Sequence, residues 1–136
     1  MSNIEQTLSI IKPDAVERIL EDEIKEMFKS KGFKIVKDKK IQIAKSEAEQ
    51  FYKVHETKPF YNDLCAYLAS GPIVVMVLEK ENAVLENREL MGATKPEEAA
   101  EGTIRKKYGI SIDKNSVHGS DSVENAKIEI DFFFKD

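Results

Sequence analysis

The run Ile73-Val-Val-Met-Val-Leu78 constrains this chain more than any other feature. It is continuously apolar and rich in branched side chains, and it follows a Gly71-Pro72 break. A run of strand length without polar alternation predicts a central β-strand covered on both faces. It is also the longest apolar stretch, far short of the ~20 residues that a membrane-spanning helix needs.

Other segments arrange themselves around that strand. Gln6–Ile11 predicts a strand that Pro13 ends. Val16, Leu20, Ile24, Met27 and Phe28 recur at helical spacing, and Gly32 stands where a helix C-terminal cap belongs. Phe33, Ile35, Ile41 and Ile43 are expected on one face of a second strand. Ser46 with Glu49 carries a capping-box pattern for a helix through about Tyr52. After the Pro59 break, Phe60, Leu64, Tyr67 and Leu68 continue as another helix. Asn82 can cap a helix ending at Gly92, and short helical turns are expected at Glu97–Ala100 and Thr103–Lys107. Asp121-Ser122-Val123-Glu124 opens a C-terminal helix, again by a capping box. Strands separated by helices give an α+β fold.

The chain has 136 residues, no internal repeat and no linker, so residues 1–136 read as one domain. Met1–Thr7 is polar, with no apolar stretch after a basic start, and the one cysteine, Cys65, cannot pair within the chain. These features predict a cytoplasmic protein with no leader and no membrane segment, in which Cys65 is a buried apolar filler. Hydrophobic residues make up 41% and charged residues 34%, and the formal net charge is −4. A protein that grips polyanions by its overall charge should be basic. Any anionic ligand must therefore meet a few cations gathered locally.

Phosphate-binding glycine loops are absent: the 6 glycines form neither G-x-x-x-x-G-K-[ST] nor G-x-G-x-x-G. One cysteine and two separated histidines give no zinc spacing. A nucleotide enzyme built on this chain must hold phosphates with side chains and supply its own nucleophile. His118 can be that nucleophile, on a strand end before a turn at Gly119 and a capped helix. Glu129 lies two helical turns past Ser122, where it can reach back to Ser120 and His118. From these residues alone, a polar histidine in a surface turn is the readier reading. His55, in Lys53–Lys58, reads as solvated, and Phe132, Phe133 and Phe134 read as packing residues.

The segment Asn115-x-x-His118-Gly-Ser-Asp-Ser122 resembles the active-site signature of nucleoside diphosphate kinases. The resemblance extends through Thr7–Asp14, Lys31-Gly-Phe33, Pro59-Phe60, Ser70-Gly-Pro72, Leu90–Thr94 and Gly102-Thr-Ile-Arg105, in order along most of the chain. It implies a ferredoxin-like four-stranded antiparallel sheet with helices on one face. It implies ping-pong transfer of a γ-phosphate between nucleotides through a phosphohistidine on His118, supported by Ser120 and Glu129, with broad base specificity. Lys12, Arg88, Thr94 and Arg105 would bind phosphates, Tyr52 would lie near the transferring phosphate, and Asn115 would bind the ribose. Phe60 would stack on the base between Leu64 and Ile112. Mg2+ would be held mainly by the substrate phosphates, and the chain would form a homo-oligomer, a tetramer or a hexamer.

Three features depart from the common family pattern: Ala15 for a glycine, Lys106-Lys107 for Gly-Asp, and a stop at Asp136 where longer members continue. The last two bear on assembly. The competing readings are a non-catalytic nucleotide- or nucleic-acid-binding module of ferredoxin-like type and a histidine phosphatase. An acidic chain with its aromatics mainly on helices has no dedicated nucleic-acid site.

Overall fold

The computed structural model describes residues 4–53, 56–93, 95–110 and 116–134. Strands β1 (Ile4–Ile11), β2 (Lys34–Ile41), β3 (Ile73–Glu81) and β4 (Val117–Gly119) form one sheet in the order β2-β3-β1-β4. Every neighbouring pair is antiparallel. The helices are α1 (Pro13–Glu17), α2 (Glu21–Ser30), α3 (Lys45–Phe51), α4 (Tyr61–Leu68), α5 (Ala83–Met91), α6 (Ile104–Tyr108) and α7 (Val123–Phe133). A 3-10 turn, Pro96–Glu98, precedes α6.

β3 is the buried centre that its composition predicts, with Ile73 through Leu78 all inaccessible or nearly so. Each such side chain contributes about 1.5–3 kcal/mol when taken from water. Val74, Met76 and Leu78 face one core with α1, α2, α5 and α6, while Ile73 and Val75 face a second with α3, α4 and α7. The ferredoxin-like α+β sheet is thus as expected, but its helices are not confined to one face. A strand apolar on both sides requires cover on both sides, and the sequence states that requirement in β3 itself.

The expected single helix from Val16 to Phe28 is two helices. α1 ends with Ile19 at φ 59, Leu20 N–H bonded to Ala15 O at 3.0 Å and Ile19 N–H bonded to Val16 O at 3.0 Å. This is a Schellman cap with isoleucine where glycine normally sits. α2 ends with the same motif on Gly32, at φ 89, with Phe33 N–H on Phe28 O at 3.0 Å.

β2 also departs from expectation. A bulge between Ile35 and Lys37 inserts one residue, so Ile35 opposes Leu78 whereas Ile41 opposes Ile73 on the other face. Phe33 and Ile35 pack in the first core; Ile41 and Ile43 pack in the second. One extra residue inverts the alternation that places side chains on faces.

Two caps shift and a third works differently. α3 starts at Lys45, and Glu47 Oε1 accepts the Ala44 N–H at 3.0 Å, so Ser46 lies inside the helix and caps nothing. α7 starts after Ser122, whose Oγ accepts Asn125 N–H at 3.1 Å, one residue later than the Asp121–Glu124 pattern. Asn82 precedes α5, as expected, through a left-handed backbone at φ 55 and not through its side chain. Cys65 is free and fully buried. Among the described residues no helix is long and apolar enough to cross a membrane.

Candidate active site

β4 pairs with β1 so that Ile10 opposes His118, Ile11 opposes Val117 and Ser9 opposes Gly119. Ile10 faces the second core, so His118 points toward α3 and α7, and Val117 is buried in the first core. Register alone thus aims the imidazole. Its side chain is 21% exposed, open on one side to a ligand.

Glu129, on α7, holds the imidazole from behind: its Oε1 lies 3.2 Å from His118 Nε2. The same oxygen accepts the Ser120 hydroxyl at 2.8 Å. Ser120 is fully buried and fixed to β1, donating its N–H to Leu8 O at 3.2 Å and accepting Leu8 N–H on Oγ at 3.3 Å. Nε2 is thus the ring nitrogen that the carboxylate engages. Phe51 packs edge-on against the imidazole at 5.4 Å between centroids, and Tyr52 does so at 6.1 Å. Phe132 and Phe133 lie behind Phe51 at 5.7 and 5.1 Å, in the packing role expected of them.

Tyr52 is buried, and its hydroxyl pKa is raised, chiefly by that burial and next by Glu129, so it stays a neutral donor. Arg105, on α6, donates to Val117 O at 2.8 Å, directly before His118, and to Gly92 O at 3.0 Å. Burial first, and then Arg88 on α5, lower its pKa to about 10. Arg88 and Arg105 share the lining of an open cavity of about 490 Å³ with Gly92 and Thr103. Arg105 is half-buried there and Arg88 exposed, and the two neighbouring cations, with Glu89 on the same lining, give an anion a local cationic edge. Lys12 is 6% exposed at the start of α1, and its N–H donates to Ser116 O at 2.8 Å, beside β4.

Phe60 stands at the N-terminus of α4, which packs on α3; its ring is 47% exposed, with Lys58 Nζ 5.7 Å from its centroid. Leu64, one turn on, is half-buried against the second core. The structure therefore gathers His118, Ser120, Glu129 and Tyr52 closely, with Arg105 and Arg88 on the adjoining wall. Thr94, Ile112, Asn115 and His55 lie outside the described residues.

Gly119 is the last residue of β4 and not a turn residue. A Cβ there would fall 2.3 Å from Asn87 Nδ2 and 2.7 Å from Met91 Cε, so glycine lets α5 approach the strand. Sequence reasoning also missed Phe51, whose ring touches the imidazole. Its only signal was adjacency to Tyr52.

Fold and site define a ferredoxin-like α+β protein with a carboxylate-held histidine beside paired arginines. The sequence model of the nucleoside diphosphate kinase family, "Nucleoside diphosphate kinase", matches residues 5–136. A nucleoside diphosphate kinase of Campylobacter jejuni is 59% identical over 97% of this chain and 96% of its own length. One from Persephonella marina is 56% identical over 97% and 94%. The crystal structure of the Aquifex aeolicus nucleoside diphosphate kinase superposes with a TM-score of 0.95 at 41% identity, over 96% of this chain and 95% of that one. The Encephalitozoon cuniculi nucleoside diphosphate kinase gives 0.93 at 38% identity, over 97% and 90%. The chain belongs to the nucleoside diphosphate kinase family. It is a kinase that transfers phosphate between nucleotides.

Proposed function

We propose that His118 is the residue phosphorylated in the transfer, and that Nδ1 is the attacking atom. The observation that carries this is the Glu129 Oε1 contact to Nε2, which favours the tautomer with its proton on Nε2 and the lone pair on Nδ1. In the first half-reaction that lone pair forms a P–N bond to the γ-phosphorus of a nucleoside triphosphate. The bond from γ-phosphorus to the β,γ-bridging oxygen breaks, and the diphosphate leaves with that electron pair. Glu129 offsets the positive charge that the ring acquires. A second diphosphate then attacks the phosphohistidine with its terminal oxygen, and the P–N electrons return to Nδ1. One site serves both nucleotides in turn, hence ping-pong kinetics.

Phosphoryl transfer is catalysed mainly by positioning and charge stabilisation. Lys12, Arg88 and Arg105 supply positive charge, Tyr52 a neutral donor, and Thr94 and Asn115 complete the phosphate and ribose contacts. Phe60 stacks on the base, with Leu64 and Ile112 at its edges. An aromatic face accepts any base, so purine and pyrimidine diphosphates both serve. The cationic and neutral donors of this wall suit phosphate oxygens and not a metal ion, so Mg2+ would be held by the nucleotide's own phosphates. When bound it neutralises β,γ-oxygen charge. The whole chain acts as one catalytic domain, as a cytoplasmic homo-oligomer, a tetramer or a hexamer.

The test is labelling with γ-labelled ATP and magnesium, with no acceptor. The expected phosphoprotein is acid-labile and base-stable, discharges onto a second diphosphate, and is absent in His118→Ala. A fully labelled His118→Ala protein overturns the assignment.

A further inference from the structure

Asp14 has no part in the chemistry above, yet it joins four separate pieces of the fold. Its side chain is 3% exposed. The Tyr67 hydroxyl, from α4, donates to Asp14 Oδ1 and accepts the Asp14 N–H at 2.9 Å. Arg18 Nη2 meets Asp14 Oδ2 at 3.3 Å and also donates to Tyr108 O, at the end of α6. Ser116 Oγ lies 3.4 Å from both Asp14 Oδ2 and Arg18 Nη2. Ser116 is fully buried, and its backbone sits at φ 77.

A serine in the left-handed region persists only where its surroundings fix it. Here its carbonyl is held by Lys12 N–H and its hydroxyl by the Asp14–Arg18 pair. Two residues later comes His118. The conformation at Ser116 sets where β4 begins, and so the angle at which the imidazole meets a phosphate. Asp14 and Ser116 are buried at the centre of these contacts, and a hydrogen-bonded cluster with a buried centre has one well-satisfied arrangement and resists intermediate ones.

We infer that Asp14, Arg18 and Tyr67 are positioning residues for His118, acting through Ser116; this rests on His118 being the nucleophile. Transfer is sensitive to sub-ångström placement of the attacking atom, and a misplacement of about 1 Å can cost about a hundredfold. Through Tyr67, the helix that follows Phe60 is tied to the same cluster. The clamp thereby sets both the base side and the nucleophile side of one site.

The experiment is rapid-quench labelling of the full-length protein with γ-labelled ATP and magnesium at saturating nucleotide, alongside ATP affinity and melting temperature. Ser116→Gly and Tyr67→Phe are the informative variants. Glycine adopts φ 77 without strain, which offsets the loss of the hydroxyl's contacts, so Ser116→Gly should melt close to the wild-type temperature. Its phosphorylation rate should nonetheless fall about tenfold or more with ATP affinity unchanged. Tyr67→Phe should slow labelling in the same way, and the double variant should lose less than the product of the two effects. A merely structural role would move melting temperature and leave the rate of the folded enzyme alone. Wild-type rates in both variants, or slowing matched by weaker ATP binding, overturn the inference while His118 still labels in the wild type. Wild-type label on another residue overturns both this inference and the assignment of His118.

Discussion

Glu129 Oε1 accepts the Ser120 hydroxyl at 2.8 Å and meets His118 Nε2 at 3.2 Å, so one carboxylate oxygen ties α7 to the end of β4 twice. Glu129→Gln keeps the size and removes the charge that balances a phosphorylated ring. Transfer should fall about a hundredfold at saturating nucleotide, with little change in KM. Stopped-flow transfer between unlike nucleotides checks it. A variant that raises KM alone would place Glu129 in substrate binding.

Gly119 is needed for contact, not for its backbone freedom. Gly119→Ala drives a methyl into Asn87 and Met91, and should destabilise by about 1–3 kcal/mol. Because Asn87 Nδ2 is the nearest atom, Gly119→Ala with Asn87→Ala should recover part of that loss. Urea unfolding of the two single variants and the double one measures the coupling.

Phe60 is 47% exposed and stands clear of the core for a base to stack on. Phe60→Ala should leave the fold intact and weaken nucleotide binding about tenfold, the scale of one base-stacking contact. The loss should be similar for purines and pyrimidines. Steady-state KM values for both classes decide it, and loss confined to one base would point to a base-reading contact elsewhere.

Two tyrosines make the alkaline limb of stability predictable. Burial comes first for both Tyr52 and Tyr67 in raising the hydroxyl pKa, followed by Glu129 for Tyr52 and by the hydrogen bond to Asp14 for Tyr67. The folded state then keeps protons that the unfolded chain releases above about pH 10. Their contribution is complete below that value and is lost as pH rises toward the folded pKa, so stability should fall with pH there. Near-ultraviolet titration should show two of the four tyrosines ionising only as the protein unfolds, and one of the remaining three after Tyr67→Phe.

Lys106 and Lys107 are exposed on α6. If the proposed homo-oligomer brings these lysines against their own copies across a symmetry axis, assembly should loosen at low ionic strength and tighten as salt screens them. Lys106→Gly with Lys107→Asp should remove that dependence while leaving labelling of His118 intact. Sedimentation across salt concentrations tests it, and a monomer throughout would defeat the claim of assembly.

Much of this was legible locally. The β3 run announced burial on both faces, Gly32 marked the end of α2, and the spacing from Ser122 to Glu129 placed a carboxylate within reach of His118. Ile19 was illegible because a β-branched residue in the left-handed region contradicts its own propensity, and the two backbone bonds of the cap and the packing of Leu20 hold it there. The β2 bulge was illegible because alternation read along one strand cannot reveal an inserted residue; that appears only against its partner.

By itself, then, the sequence determined the chemistry: which side chains can attack, donate or carry charge, and the local periodicity that brings the elements into being. Tertiary structure decided direction. Pairing of Ile10 with His118 turned the imidazole toward α3 and α7, and the approach of α5 required the glycine beside it. Burial, and next the charge of Arg88, lowered the Arg105 pKa. Such effects arise between residues far apart in the chain, where register, close contact and desolvation are properties of the assembled fold and have no counterpart in a linear pattern.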